Sequence, residues 1–119
     1  VISTLPDNAE TRGVLDRTVF GCMTRETVFV NVGRKAVIRQ DDLYAALKSG
    51  QLGGAVLDMF EVFPNPVTNR FRRLRNTVIL PGVAAISQES RERRDDHILA
   101  NLARVERGEE PRCVVNKEK

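Results

Sequence analysis

Apolar residues along this chain come in short bursts, and the bursts alternate between two periods. Val28, Phe29, Val30 and Val32 make a near-continuous apolar run, the mark of a strand buried on both faces of a parallel sheet. Gly33, Arg34 and Lys35 interrupt it with a glycine and two cations. The period then changes. Leu43, Ala46 and Leu47 fall at i, i+3 and i+4, one stripe of a helix predicted over residues 40–49. Gly50 occupies the place of a left-handed C-terminal cap, and Gly53-Gly54 turns the chain back. A second apolar run over residues 55–59 carries one acid, Asp58. Residues 27–60 therefore read as a strand, helix, strand unit around which the rest is arranged.

Residues 1–5 form a predicted strand ending at Pro6, followed by turn chemistry at Asp7-Asn8. A short helix is predicted over residues 16–23, capped by Asp16, with Val19, Phe20 and Met23 facing inward. Residues 60–66 lose all periodicity and are punctuated by prolines. The basic stretch 69–76 (Arg70, Arg72, Arg73, Arg75) reads as a solvated loop pinned by Phe71 and Leu74. Residues 77–80 form another strand, stopped by Pro81-Gly82. Ser87 is placed to cap a long helix running to about Glu106, with Ile98, Leu99, Leu102 and Val105 as its stripe and Gly108 beyond its end.

The order β-α-β-α-β-β-α predicts an α/β fold: a partial Rossmann-like, doubly wound parallel sheet plus a long C-terminal helix. Residues 1–107 read as the partial nucleotide-binding domain and 108–119 as a tail returning to a substrate domain that the chain does not contain. Parallel strands joined by a helix cross over right-handed, which brings their carboxyl ends to one edge of the sheet. Ligands bind at that edge. Leu5, Gly33, Arg34, Asp58 and Gly82 are expected there. No G-x-G-x-x-G turn opens any helix, so the phosphate-binding half of a dinucleotide fold is missing.

Composition narrows the classes. A chain of 119 residues with 41% hydrophobic content makes one domain with a limited core, and no apolar run is long enough to span a membrane. The chain starts at Val1 within a strand pattern, without a signal-peptide pattern, and reads as a cytoplasmic fragment. Cys22 and Cys113 are too few for a disulfide framework. Arginine is abundant, but one Tyr and no Trp give no stacking platform, which argues against a nucleic-acid partner.

The segments VNVGR, AVIRQDDLYAALKSGQLGGAVLDMFE, NTVILPGVAA and GEEPRCVVN, in this order and spacing, resemble the D-isomer-specific 2-hydroxyacid dehydrogenase family. The likeness is to the carboxyl-terminal part of that family's NAD-binding domain, and ISTLPDNAETRGVLD extends it upstream. The resemblance implies hydride transfer between a small 2-hydroxy or 2-oxo acid and NAD, with NADP left open. It also implies that Arg34, in Asn31-Val32-Gly33-Arg34, grips the substrate carboxylate as the catalytic arginine and borders the cofactor. Asp58 matches the aspartate near the nicotinamide. Leu5, Pro6, Val32, Gly33, Gly82 and Ala84 match segments whose backbone lines the cofactor cleft.

Four positions depart from the family pattern. Gly82 stands where the family has its acid/base histidine, and Phe63 where it has that histidine's glutamate partner. Lys35 replaces the glycine after the arginine, and Arg39 replaces the aspartate that caps the next helix, so that a cap is expected from Asp41. His97 is expected too far along the long helix to substitute, and Glu61 has no histidine to support. Losing a positioned acid/base costs roughly 10²–10⁴-fold in rate. The isolated chain is therefore expected to be inactive, either as a fragment of an NAD(P)-dependent oxidoreductase or as a non-catalytic relative that binds NAD or regulates. An unpaired sheet edge near residues 1–5 predicts a homodimer.

Overall fold

A computed structural model of the chain describes residues 1–59 and 68–115. The expectations placed on residues 60–66, including Glu61 and Phe63, lie outside the described residues. The chain divides into two compact units, Val1–Ala84 and Ala85–Lys119.

In the first unit four short strands, β1 (Ile2–Ser3), β2 (Val28–Asn31), β3 (Gly54–Leu57) and β4 (Thr77–Ile79), lie side by side in sequence order. Every neighbouring pair is parallel. The register runs straight across the sheet. Ser3, Asn31, Leu57 and Ile79 form one row, and Ile2, Val30, Val56 and Val78 form the next. Because strand side chains alternate, these two rows lie on opposite faces.

One face carries the core. Phe20 of α1 (Arg17–Gly21) and Leu43, Ala46 and Leu47 of α2 (Gln40–Lys48) pack with Phe29, Ala55 and Leu57 of the sheet, closed by Val37, Leu52 and Phe71. Phe20 meets Phe29 edge-on, with ring centroids 5.4 Å apart, a favoured aromatic geometry. The other face is open within this unit: Ile2, Val28 and Val78 are exposed. The expectation of a β2 buried on both faces is thus corrected. Phe29 and Asn31 are buried while Val28 is exposed, because α1 and α2 cover one face only. β1 lies at the edge of the sheet, as its exposed-edge reading required.

The caps separate local from long-range reasoning. Asp16 caps α1 through bonds from the Thr18 and Val19 amides at 2.9 and 3.2 Å. The Arg17 amide donates to Asp42 of α2 at 3.0 Å. Asp41 does not cap α2. Arg39 holds the cap position without a side-chain bond, and Asp41 pairs with Arg70 instead. The Arg70 guanidinium also lies 4.7 Å from the Tyr44 ring centroid, which fastens the 3-10 turn Arg70–Arg73 to α2. Within that basic stretch Phe71 is buried and Leu74 half-buried, while Arg72, Arg73 and Arg75 are exposed.

The second unit is built on α3 (Gln88–Glu106), which opens with a capping box between Ser87 and Ser90. Its tail folds back on it. Asn101 donates to the Arg112 carbonyl at 3.2 Å and accepts from the Arg112 amide at 2.8 Å, and Arg104 Nε donates to the Glu110 carbonyl at 2.8 Å. Ile98, Leu99, Leu102 and Val105 are exposed along α3. Among the described residues no helix is long and apolar enough to cross a membrane.

Candidate functional site

The parallel register delivers the four strand ends to one edge, and backbone bonds knit them into a rim. β2 leaves the sheet against the exit of β1. The Val32 and Gly33 amides both donate to the Ser3 carbonyl, at 3.1 and 3.2 Å, and the Arg34 amide donates to the Leu5 carbonyl at 3.2 Å. β3 leaves against β2 through a bond from the Asp58 amide to the Asn31 carbonyl at 3.1 Å. The Leu80 amide joins β4 to Leu57 at 2.9 Å.

Leu5, Pro6, Val32, Gly33 and Arg34 thus form one stretch of rim. The segment beyond Pro6 is fixed by Thr11, whose hydroxyl donates to the Pro6 carbonyl at 2.6 Å, and by Asn8, whose Oδ1 accepts the Glu10 and Thr11 amides. The Arg34 side chain is exposed and makes no ion pair among the described residues. Its planar fork is available to an anion.

Asp58, Gly82 and Ala84 form the adjoining stretch. Asp58 is 4% exposed. Its two oxygens accept consecutive amides, Val83 at 2.9 Å and Ala84 at 3.0 Å. Gly82, immediately before them, has φ of 75°, in the left-handed region.

Two rim residues carry a signal that sequence reasoning passed over. Asn31 is fully buried, donates through Nδ2 to the Arg34 carbonyl at 3.5 Å, and among the described residues its Oδ1 has no partner, nor has Oγ of its row-mate Ser3. A polar residue closing an otherwise apolar strand was the available sign. His97 lies in the second unit, exposed, with Nε2 3.2 Å from Asn101 Nδ2. Among the described residues no cluster of His, Cys, Asp or Glu could hold a metal ion.

An open parallel sheet with its connecting residues gathered at the carboxyl edge places the chain in the Rossmann-like α/β class, in which ligands bind at that edge. Residues 1–84 match the sequence model of the D-isomer specific 2-hydroxyacid dehydrogenase NAD binding domain, and the chain belongs to that family. It is 37% identical over 114 residues to a glyoxylate reductase of Korarchaeum cryptofilum, covering 96% of this chain and 34% of that protein. Against glyoxylate/hydroxypyruvate reductase A of Serratia proteamaculans it is 35% identical, covering 98% and 36%. Among solved structures, the NADPH-dependent glyoxylate/hydroxypyruvate reductase of Sinorhizobium meliloti, in complex with NADP and sulfate, superposes with a TM-score of 0.82 at 33% identity, over 97% of this chain and 37% of that one. A 2-hydroxyacid dehydrogenase of Xanthobacter autotrophicus in complex with NADPH and MES gives 0.80 at 34% identity, over 100% and 47%. The chain spans about one third of the length of these curated relatives.

Proposed function

We propose that the chain supplies the nicotinamide-side half of an NAD(P)-binding domain in an oxidoreductase acting on a D-2-hydroxy acid and its 2-oxo acid. The observation that carries this reading is the register Asn31–Leu57, because it sends Arg34 and Asp58 off neighbouring parallel strands at the same edge. The relatives named for glyoxylate and hydroxypyruvate suggest a short 2-oxo acid as the substrate class.

The residues present fit one end of the cofactor. At the rim, Gly82 with no side chain and Ala84 with a small one leave backbone for a flat ring to approach. Among the described residues, neither α1 nor α2 offers the phosphates such a seat. The first three amides of α1 are already taken by the Asp16 and Asp42 carboxylates, and α2 opens with Asp41 and Asp42. A pyrophosphate would meet acids where it needs free N–H groups. When bound, the nicotinamide supplies or accepts a hydride. Arg34 would hold the acid's carboxylate in a bidentate grip, and the Asn31 to Arg34 turn would aim it.

Gly82 and Phe63 leave the reaction without the family's proton donor and its orienting acid. The second reading, a relative that binds NAD(P) without turnover, is favoured by the left-handed φ at Gly82, a region that glycine enters without the cost a Cβ brings. The exposed β1 edge suits a homodimer.

A chimera tests the proposal. Residues 1–84 replace the matching segment of the Sinorhizobium meliloti reductase. The chimera is expected to bind NADPH while reducing glyoxylate roughly 10²–10⁴-fold more slowly than its parent. A folded chimera that fails to bind NADPH would refute the cofactor role, and parent-like turnover would refute the loss of the acid/base pair.

A further inference from the structure

We infer that Asp58 is a positioning residue: it fills an anion-binding turn of its own chain and, through Val83 and Ala84, fixes the shape of the rim. This deepens the cofactor reading above and gives Asp58 a different task from touching the nicotinamide. Asp58 sits just past the last residue of β3, and its own amide continues the sheet ladder to Asn31. The side chain is therefore anchored at its base before it makes any contact. Its carboxylate is buried, and no cation pairs with it among the described residues. A buried carboxylate needs compensation. Here two backbone N–H groups provide it, one to each oxygen, at 2.9 and 3.0 Å.

The turn is built to present those two groups. Gly82, left-handed at φ 75°, lets the next two amides converge on the carboxylate. Successive N–H groups beside a left-handed residue make a concave anion seat, and here Asp58 occupies it. With both oxygens engaged inward, the carboxylate ties the exit of β4 to the exit of β3. Neutralising the side chain as an amide would place an NH₂ against one of the two donors. Removing it would leave both donors without their protein partner at a part-buried turn.

The test uses the 119-residue chain, ¹⁵N/¹³C-labelled, without added ligand. In the wild type, scalar coupling across the hydrogen bond is expected between the amide nitrogens of Val83 and Ala84 and the side-chain carboxyl carbon of Asp58. In Asp58→Asn, hydrogen exchange at Val83 and Ala84 is expected to accelerate at least about tenfold, while Ala55 and Val30 keep their protection. Coupling absent from the wild type, or unchanged exchange at those two amides in a folded variant, overturns the clamp. Where the variant fails to fold, the wild-type coupling alone decides. NADPH is then titrated into the wild type. Shifts at Gly33 and Ala84 without loss of the Asp58 couplings support a carboxylate that shapes the rim from beneath. Loss of those couplings on binding overturns that role in favour of direct contact. A wild type with intact couplings and no response to NADPH leaves the clamp standing, and NADPH binding by the chimera then decides the cofactor reading.

Discussion

Gly33 is held against the backbone of Leu5 so closely that a Cβ on the glycine would lie 2.7 Å from the Leu5 carbonyl oxygen and 2.9 Å from its nitrogen. This is a close-approach glycine. The crowding atoms are backbone, tied to the same loop by the bond from the Arg34 amide to the Leu5 carbonyl, so no side chain can swing away to make room. Gly33→Ala is expected to cost about 1–3 kcal/mol, the range for overpacking. Gly21 provides the control, since a Cβ there meets nothing within 4 Å at the end of α1. Gly21→Ala is expected to be neutral or to stabilise by up to about 1 kcal/mol. Urea unfolding of the two variants checks both signs, and a Gly33→Ala variant as stable as wild type would show that the exits of β1 and β2 are not in contact.

Arg70 joins two elements that are distant in sequence, and its worth lies in the stack more than in the charge. Asp41 is largely exposed, with a side-chain accessibility of 89%, so its pairing with Arg70 contributes only about 0–1 kcal/mol. The guanidinium also lies over Tyr44 at 4.7 Å and over Phe71 at 5.6 Å, and Phe71 is part of the core. Arg70→Ala is therefore expected to destabilise more than Asp41→Ala, with Arg70→Lys between them, because an ammonium keeps the charge and loses the planar face. Raising salt to 1 M should erase the Asp41 effect and leave most of the Arg70 effect. Equal losses from both alanine variants would contradict this ordering.

These cases show what was legible in the sequence. Asp16 and Ser87 could be read as caps because their partners lie two or three residues away. Asp41 could not, since its partner Arg70 lies 29 residues on. The two amides that engage Asp58 lie 25 and 26 residues on, so its place at the rim was visible but its bonds were not. Val28 and Phe29 are equally apolar as letters. Which of them is buried depends on the side of the sheet taken by α1 and α2, and that is decided by packing. Parallel strands and their shared rim followed from the strand-helix-strand alternation and its crossover, a rule that needs no side-chain detail.

The fold-back of the tail onto α3 is expected to respond to pH. Glu109 accepts from Arg107 at 2.8 Å and pairs with Arg104 at 3.1 Å. The Arg107 hydrogen bond chiefly, with the charges of Arg104 and Arg112, holds its carboxyl below the usual carboxylate value. A carboxylate whose folded value is depressed stabilises the folded form above the unfolded value, and that stabilisation is lost as pH falls through the folded one. The tail is thus expected to stay docked at neutral pH and to loosen only below the ordinary carboxylate range. In an NMR titration the Glu109 carboxyl carbon should show a lower midpoint in the native chain than in urea. Glu109→Gln should remove the pH dependence of the Arg112 amide shift. A native midpoint at or above the urea value would sink this account.

Restoring the family's histidine is not a matter of one side chain. Gly82 sits at φ 75°, where a residue bearing a Cβ carries a penalty of roughly 1–2 kcal/mol. The amides that follow it are committed to Asp58, so the turn cannot relax without giving up two bonds donated to a buried carboxylate. Gly82→His is therefore expected to lower the stability of the 119-residue chain by about that penalty. In the chimera with the Sinorhizobium meliloti reductase, the same single substitution is expected to recover little turnover. An imidazole there has a strained backbone beneath it and, with Phe63 in place of the glutamate, no acid to fix its tautomer. Adding Phe63→Glu supplies the orienting carboxylate, so the double variant should exceed Gly82→His by about tenfold or more in turnover. Its gain should exceed the product of the two single gains, since a donor and its orienter act as a unit. Steady-state rates with NADPH and glyoxylate for the four chimeras, beside melting curves of the isolated chain, measure both effects. A Gly82→His chain no less stable than wild type would show that the turn adapts freely, and multiplicative single gains would show that the two positions do not work as a pair.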